Sequence, residues 1–451
     1  MRLRRTAGGN RPRRRHGLWL GLLLHDATAA AVASTVMSSL ASVRPERVPR
    51  RAGARRSTTY WVCLLLVLAT VSWRPDTLYS GGLDAVVVAK AVLSIVALTM
   101  AWNTRLASSE RQPVRTAAVW FVLAYVAIAT FGAWSTSDVA PSAVLGARML
   151  IIALSVLLLA RSVDREELLR AWLSALLAVG LVAAVTGLPS LASGRLGGGV
   201  PPLHPNELAV LCGLPAVGLS WLLLYRRARA THAVLLTLML AVLWLTGSRT
   251  SLLATIGAIV VLGVQAHRLS RPTVVGAVCA LYALIYVMTA TSVFDAFFLR
   301  GGAESVATLN SRTIGWSAAF SFSDSEWVRW MGAGLTMKEI PVAGQYWQTQ
   351  FLDSSWVSAI AQAGRAGAIV LVMWVLYVIV AALSDRAQRA ALTGLLAFVL
   401  VNSFAQTGLV DSTPNFITFF LISVLVGVNN RQLPHPAVAL RASPAVLSVR
   451  S

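Results

Sequence analysis

The 451-residue chain is short of charge, short of cysteine and almost without lysine, and each shortage excludes something. Only 13% of its residues are charged while 56% are hydrophobic; a soluble globular chain is about one quarter charged. A soluble protein this apolar would expose large adhesive patches. The charges are also separated by long apolar runs, which is the pattern of a chain that crosses a bilayer. The three cysteines, Cys63, Cys212 and Cys279, each sit inside an apolar run, so neither a disulfide framework nor a thiolate metal site can be read from them. Lysine occurs only at Lys90 and Lys338, among 39 basic residues. So strong a preference for arginine, with so much Ala and Val, suggests a high-GC bacterial genome, an inference from codon bias rather than physics.

The formal net charge of +21 invites a nucleic-acid reading, but its distribution argues otherwise. Thirteen arginines fall within residues 1–56, and most of the others fall in short loops on one side of the apolar segments. That is topology information, and no nucleic-acid partner is expected. Residues 1–57 read as a basic cytoplasmic arm. Arg13–Arg15, then Leu18–Leu24, then the small residues Ala27–Ser34 imitate a signal peptide. The apolar core is short, it runs into His25 and Asp26, and cleavage would leave Arg44–Arg56 outside, so the signal peptide is rejected. A true start at Met37 is an alternative.

Twelve apolar segments follow, at about 58–73, 84–102, 115–134, 142–160, 168–187, 206–225, 232–247, 250–266, 273–291, 354–382, 389–406 and 414–428. The expected fold class is all-α: a polytopic integral membrane protein of about 12 transmembrane helices with one large extracytoplasmic loop. Helices 1–9 occupy 58–291, the loop 292–353, helices 10–12 occupy 354–428, and 429–451 forms a cytoplasmic tail. Several segments fall short of the roughly 20 residues a hydrocarbon core requires, and Trp61, Trp73, Trp102, Trp134 and Trp244 are placed to sit at the interfaces. With the N-terminus cytoplasmic, alternation puts Arg105, Arg111, Arg115, Arg161, Arg165, Arg170, Arg226, Arg227 and Arg229 inside, followed by Arg268, Arg271, Arg386 and Arg389. The opposite short loops carry few basic residues, such as Arg74, Arg195 and Arg249. Both termini are therefore expected in the cytoplasm.

Lys90 and Arg148 lie inside apolar segments, where an unpaired charge costs about 3 kcal/mol on insertion scales. Each is six or seven residues from the outer end of its helix, roughly 9–10 Å deep at 1.5 Å per residue. Either both snorkel to headgroups, or both face a polar cavity that takes an anion such as a lipid phosphate. Arg195 precedes a glycine run that ends in His204-Pro-Asn206-Glu207, where the next helix begins and its N–H groups favour an anion. Arg249 occupies the very short turn Ser248-Arg-Thr250, as a ligand for an anion or as a headgroup anchor. Arg300 and Arg312 flank the start of the large loop, which also carries Trp316, Trp327, Trp330, Tyr346 and Trp347. Arginine suits a diphosphate because its planar fork makes paired, charge-assisted hydrogen bonds.

At these residues the chain resembles the O-antigen ligase and O-antigen polymerase superfamily of bacterial membrane glycosyltransferases, over about 58–428. The resemblance rests on Arg195 with its glycines through His204-Pro-Asn-Glu-Leu-Ala209, on Ser248-Arg249-Thr250, on Ser311-Arg312 with Trp316 and Gly332-Ala-Gly334, and on Asp353-Ser-Ser through Gly364 and Gly367. It implies transfer of a glycan from an undecaprenyl diphosphate carrier to an acceptor sugar hydroxyl, on the outer face of the plasma membrane, with no cofactor. The acceptor would be a glycan or a lipid, with a chain-length regulator or other polysaccharide export proteins as further partners. No Gly-rich nucleotide loop or clustered His/Cys metal site is visible in the sequence. Ligases of the family carry His where Asp353 stands, and Asp-Ser-Ser looks closer to the polymerase branch. Asp353 is the expected general base, or else caps the following helix. Arg195, Arg249 and Arg312 join it as expected catalytic residues. Lys90, Arg148, His204, Asn206 and Trp316 are expected to bind substrate. A transporter, a cell-wall polymerase of the shape, elongation and division type, and a scaffold without activity are the competing classes.

Overall fold

The computed structural model describes residues 51–74, 84–109, 111–226, 229–266, 312–321, 325–342 and 349–426. The apolar segment at 273–291, the tail, Arg300, Tyr346, Trp347 and the side chain of Arg312 lie outside the described residues. The residues from Arg55 on form one compact unit, and the fold that follows belongs to it.

Each apolar segment within the described residues is helical. In chain order these are α1 (Arg51–Thr70), α2 (Ala85–Ala107), α3 (Ala117–Gly132), α4 (Val139–Ser162), α5 (Arg165–Thr186), α6 (Pro205–Tyr225), α7 (Ala230–Leu245) and α8 (Arg249–Gln265). Two short helices, α9 (Arg312–Phe320) and α10 (Glu326–Met331), precede the strands β1 (Glu339–Pro341) and β2 (Thr349–Phe351). The strands pair antiparallel with Ile340 opposite Gln350. Helices α11 (Ser355–Ser384), α12 (Arg389–Ser403) and α13 (Pro414–Leu425) complete the bundle. The protein is thus a mostly helical membrane protein. Helices α2, α3 with its following turn, α4, α5, α6 and α11 are long and apolar enough to cross a membrane, while the Arg56–Thr70 part of α1, with α7, α8, α12 and α13, is apolar but shorter.

The starts of the helices follow local rules. The Asp84 side chain accepts from the Val87 N–H at 2.8 Å and caps α2; that bond, with Arg74 beside it, holds the Asp84 carboxyl below its usual range. Asp164 caps α5 through the Glu166 N–H, and Glu166 and Glu167 sit where the helix dipole favours anions.

Helix α13 is the central post. Every residue from Asn415 to Leu425 is buried, and α3, α4, α6, α11 and α12 pack around it. Trp374 of α11 lies among Phe416, Phe419 and Phe420, with its ring 4.6 Å from Phe419. Trp374 Nε1 donates to Ser423 at 3.1 Å, and Trp172 Nε1 of α5 donates to Thr418 at 2.9 Å. Indole N–H groups buried among apolar helices require such partners. The outward faces are the reverse: Ile369, Val372, Met373, Leu376, Val380 and Leu383 form one exposed apolar stripe along α11. Lipid covers such a stripe; water would not.

Contacts sort the connections into two ends. One end is rich in arginine: Gln112 bonds the Arg161 carbonyl, Arg165 pairs with Asp385, Arg226 pairs with Glu166, and the Arg115 N–H meets the Val424 carbonyl. The other end holds Arg74, Arg195, His204, Thr246, Asp353 and Gln406, and is called the loop end below.

At the loop end, α11 is broken at Gly364 (φ 61, ψ −162). The break leaves the Ala361 and Gln362 carbonyls without helical donors, and the N–H groups of Ala333 and Gly334 supply them at 2.8 and 2.9 Å. Gly332 makes this approach possible. Its φ is 79, and a Cβ there would stand 2.3 Å from the Gln362 carbonyl carbon. The segment 332–334 therefore clamps the break in place.

Gly332→Ala is expected to cost about 3 kcal/mol or more, from backbone strain and overpacking together. It should lower the melting temperature of the purified protein in detergent. Gly257→Ala, where a Cβ meets nothing within 4 Å, should leave it unchanged or slightly raised. Equal melting of the two variants would refute the clamp.

Candidate functional site

The site is assembled from four stretches of chain that meet at the loop end. The first is the start of α6. His204 is its N-cap and accepts from the Asn206 N–H through Nδ1 at 3.3 Å, with Pro205 at the first helical position. Glu207, three residues on, reaches back to the His204 backbone N–H and also takes the Ser72 N–H. This is a capping box with histidine in the usual serine position. One Glu207 oxygen, Oε2, remains buried without a hydrogen-bond partner among the described residues.

The second stretch is the loop before α6. Arg195 Nε donates to the Thr246 carbonyl at 2.9 Å, and Nη2 donates to Asn206 Oδ1 at 3.1 Å. The Leu196 N–H meets the Leu245 carbonyl at 3.0 Å. Arg195 therefore joins this loop to the α7–α8 turn and orients Asn206.

The third stretch is that turn. Ser248 is the N-cap of α8 and Arg249 its first residue. Ser251 accepts from Ser248, from Asn402 and, at 3.4 Å, from Gln406. Gln406 also donates to the Asn206 carbonyl at 3.5 Å.

The fourth stretch is the start of α11. The Gln406 backbone carbonyl accepts both the Ser355 N–H (3.2 Å) and the Ser355 hydroxyl (2.9 Å). Ser354 is the N-cap and Asp353 the residue before it, so Asp353 is not the cap residue. Asp353 is exposed, while Ser354 and Ser355 behind it are buried.

Between these stretches lies a cavity of about 320 Å³. Its polar lining includes Arg74, His204, Asn206, Glu207, Lys338 and Asp353. Gln406 and Asn415 also face it, and Asn415 Oδ1 is buried with no partner among the described residues. In the wall Lys338 pairs with Asp411. Burial first, then the Arg148 cation, push the Lys338 ammonium down from its ordinary value.

The expected site residues divide into groups. His204, Asn206 and Asp353 line the cavity together. Arg195 stands one layer back, behind Asn206, and Arg249 opens α8 without lining the cavity. Lys90 and Arg148 also lie behind the lining, within electrostatic reach of Glu207 and Lys338 respectively. Arg148 donates to the Ala69 carbonyl of α1. Trp316 is elsewhere: it packs against Ala319, Ile340, Leu352, Val357 and Ala361, beneath the hairpin. Sequence reasoning missed Lys338, Asp411, Gln406 and Arg74 as site residues. The one available signal was the rarity of Lys338 in a chain that otherwise uses arginine.

The arrangement supplies a carboxylate at the rim, a buried carboxylate at the floor and several cations around them. Such a set can accept a proton from a hydroxyl and balance negative charge on a ligand. Among the described residues no group of three or more His, Cys, Asp or Glu is placed to hold a metal ion. No family model matches the chain, and no curated protein matches it.

The Lys338–Asp411 pair is largely buried, so removing one partner strands a charge. Asp411→Asn is expected to destabilise the protein by about 3 kcal/mol. The double variant Lys338→Met with Asp411→Leu should recover most of that loss in a thermal melt. A single variant that melts like wild type would show the pair to be solvated.

Proposed function

We propose that the protein is an inverting, polyprenyl-diphosphate-dependent glycosyltransferase of the O-antigen polymerase and ligase kind, in its polymerase-like branch. In this reading the chain crosses a bacterial plasma membrane about twelve times, with both termini in the cytoplasm and the loop end outside. The shorter apolar helices, of 12 to 17 residues, cover roughly 18–26 Å at 1.5 Å per residue. Their flanking turns would supply the rest of a core about 30 Å thick.

One observation carries the reading. The motifs behind the resemblance are separated by up to about 150 residues of sequence, yet His204, Asn206 and Asp353 face one cavity, and Gln406 ties the Ser248–Ser251 turn to both sides of it. A set of unrelated structural turns has no reason to converge on one polar cavity.

The proposed reaction follows from the charges. The donor diphosphate sits in the cavity beside Lys338, with Lys90, Arg148 and Arg195 behind the lining adding positive potential; the resemblance assigns Arg249 and Arg312 to the same task. Asp353 takes the proton of the acceptor hydroxyl. The hydroxyl oxygen bonds to the anomeric carbon from the face opposite the diphosphate. The carbon–oxygen bond to the carrier breaks, and its electron pair stays on the diphosphate. Cations already in place stabilise that charge without reorganising. Asn206, fixed by Arg195, offers its amide to the glycan. Trp327, whose ring lies 4.9 Å from Phe131, and the half-exposed Trp330 give the outer loop aromatic faces for sugars.

Purified protein incubated with a polyprenyl-diphosphate-linked oligosaccharide should yield a ladder of longer glycans. Asp353→Asn should abolish the ladder, at least about 100-fold, while carrier binding persists. Arg195→Ala should weaken carrier binding. Normal polymer from Asp353→Asn would remove Asp353 from the mechanism, and unchanged affinity in Arg195→Ala would reduce Arg195 to a brace.

A further inference from the structure

A second cavity, of about 480 Å³, opens at the arginine-rich end between α5, α6 and α7. It is remote from the candidate site: along α6, Trp221 is fourteen residues from Glu207, or roughly 21 Å. Its walls are apolar, formed by Leu173, Leu177, Pro215, Leu219 and Leu235. Its mouth carries Arg170, Arg226, Arg229 and His232.

These basic groups are arranged, not scattered. The two oxygens of Glu166 hold Arg170 and Arg226 side by side, the second at 2.7 Å. The Arg226 guanidinium also lies 5.7 Å from the Trp221 ring centroid. Arg229 has no ion pair among the described residues. It precedes α7, a 16-residue helix with no side-chain cap, whose positive end adds to the same rim. His232 Nδ1 is buried there without a hydrogen-bond partner among the described residues. Arg170 and Arg226 share one carboxylate and Arg229 has none among the described residues, so the mouth is left net positive.

We propose that this cavity binds an anionic glycerophospholipid, with its phosphodiester on the arginine rim and an acyl chain along the leucine wall. The two halves of the cavity select the two halves of such a lipid. A soluble phosphate would leave the apolar wall wet, and a zwitterionic lipid would bring its own cation against the rim. The inference needs only a chain that spans a bilayer, and stands whether or not the protein transfers glycans.

The test uses the full chain in neutral detergent, with bound lipid counted by native mass spectrometry. Dioleoylphosphatidylglycerol should be retained at least about tenfold more strongly than dioleoylphosphatidylcholine, and glycerol 1-phosphate should not displace it. Arg170→Gln with Arg229→Gln should cut retention by about tenfold or more. Arg105→Gln, at the same end but away from the cavity, should not change it. Should the double variant fail to fold, Arg229→Gln alone breaks no ion pair and should still lower retention severalfold. Equal retention of the two lipids would overturn the site, as would unchanged retention in the arginine variants. Displacement by glycerol 1-phosphate would make it a site for soluble phosphate.

Discussion

A side-chain or main-chain polar group inside a helical membrane bundle must find its partner within the protein, because the surrounding hydrocarbon offers none. At the loop end that requirement converges on Gln406. Its amide serves the Asn206 carbonyl and the Ser251 hydroxyl, and its own carbonyl takes both donors of Ser355. Three helix starts, those of α6, α8 and α11, are thereby held to one short turn after α12. The cavity exists because these starts are fixed relative to one another. Buried polar networks of this sort specify a geometry; in this one Asn402 donates to Ser251, and its own Oδ1 has no partner among the described residues.

The same requirement explains the two layers of charge. Arg195 is committed to the Thr246 carbonyl and the Asn206 amide. Its chemical contribution is carried by the group it orients. Lys338, paired with Asp411, and Asp353 instead face the cavity directly. An arginine with a delocalised fork suits bracing several loops at once, whereas a compact ammonium can sit in a narrow wall beside a carboxylate. This division accounts for a lysine at 338 in an arginine-dominated chain. The glycines of the clamp serve the same end: Gly332 and Gly364 admit backbone contact that holds the first part of α11, and with it Asp353, over the cavity.

Much of the bundle was legible from hydropathy. The apolar segments at 84–102, 142–160, 168–187 and 206–225 each became a helix within a few residues, because long apolar runs with Asp84, Asp164 or His204-Pro205 at their starts leave little choice. Hydropathy does not separate a lipid-facing helix from a buried one, so α13 gave no sign that it is the post around which the others pack. The hairpin was not foreseen either, since strands of three residues carry too little alternation to register. In the site, the helix start near Asn206 and the Ser248-Arg249 turn were readable as local patterns. Gln406 and Asp411 were not, because a lone polar residue in an apolar stretch acquires meaning only from neighbours 50 to 200 positions away.

The central claim is that the cavity bounded by His204, Asp353, Lys338 and Asn415 receives the sugar of a lipid-linked donor. A polyprenyl-diphosphate-linked disaccharide with a photoreactive group on its sugar, crosslinked to the full chain and mapped by peptide mass spectrometry, tests this directly. Adducts concentrated at residues 351–353 and 405–415 are the expected result. Adducts spread along the exposed apolar faces of α2, α8 and α11, with none at the cavity, would contradict it.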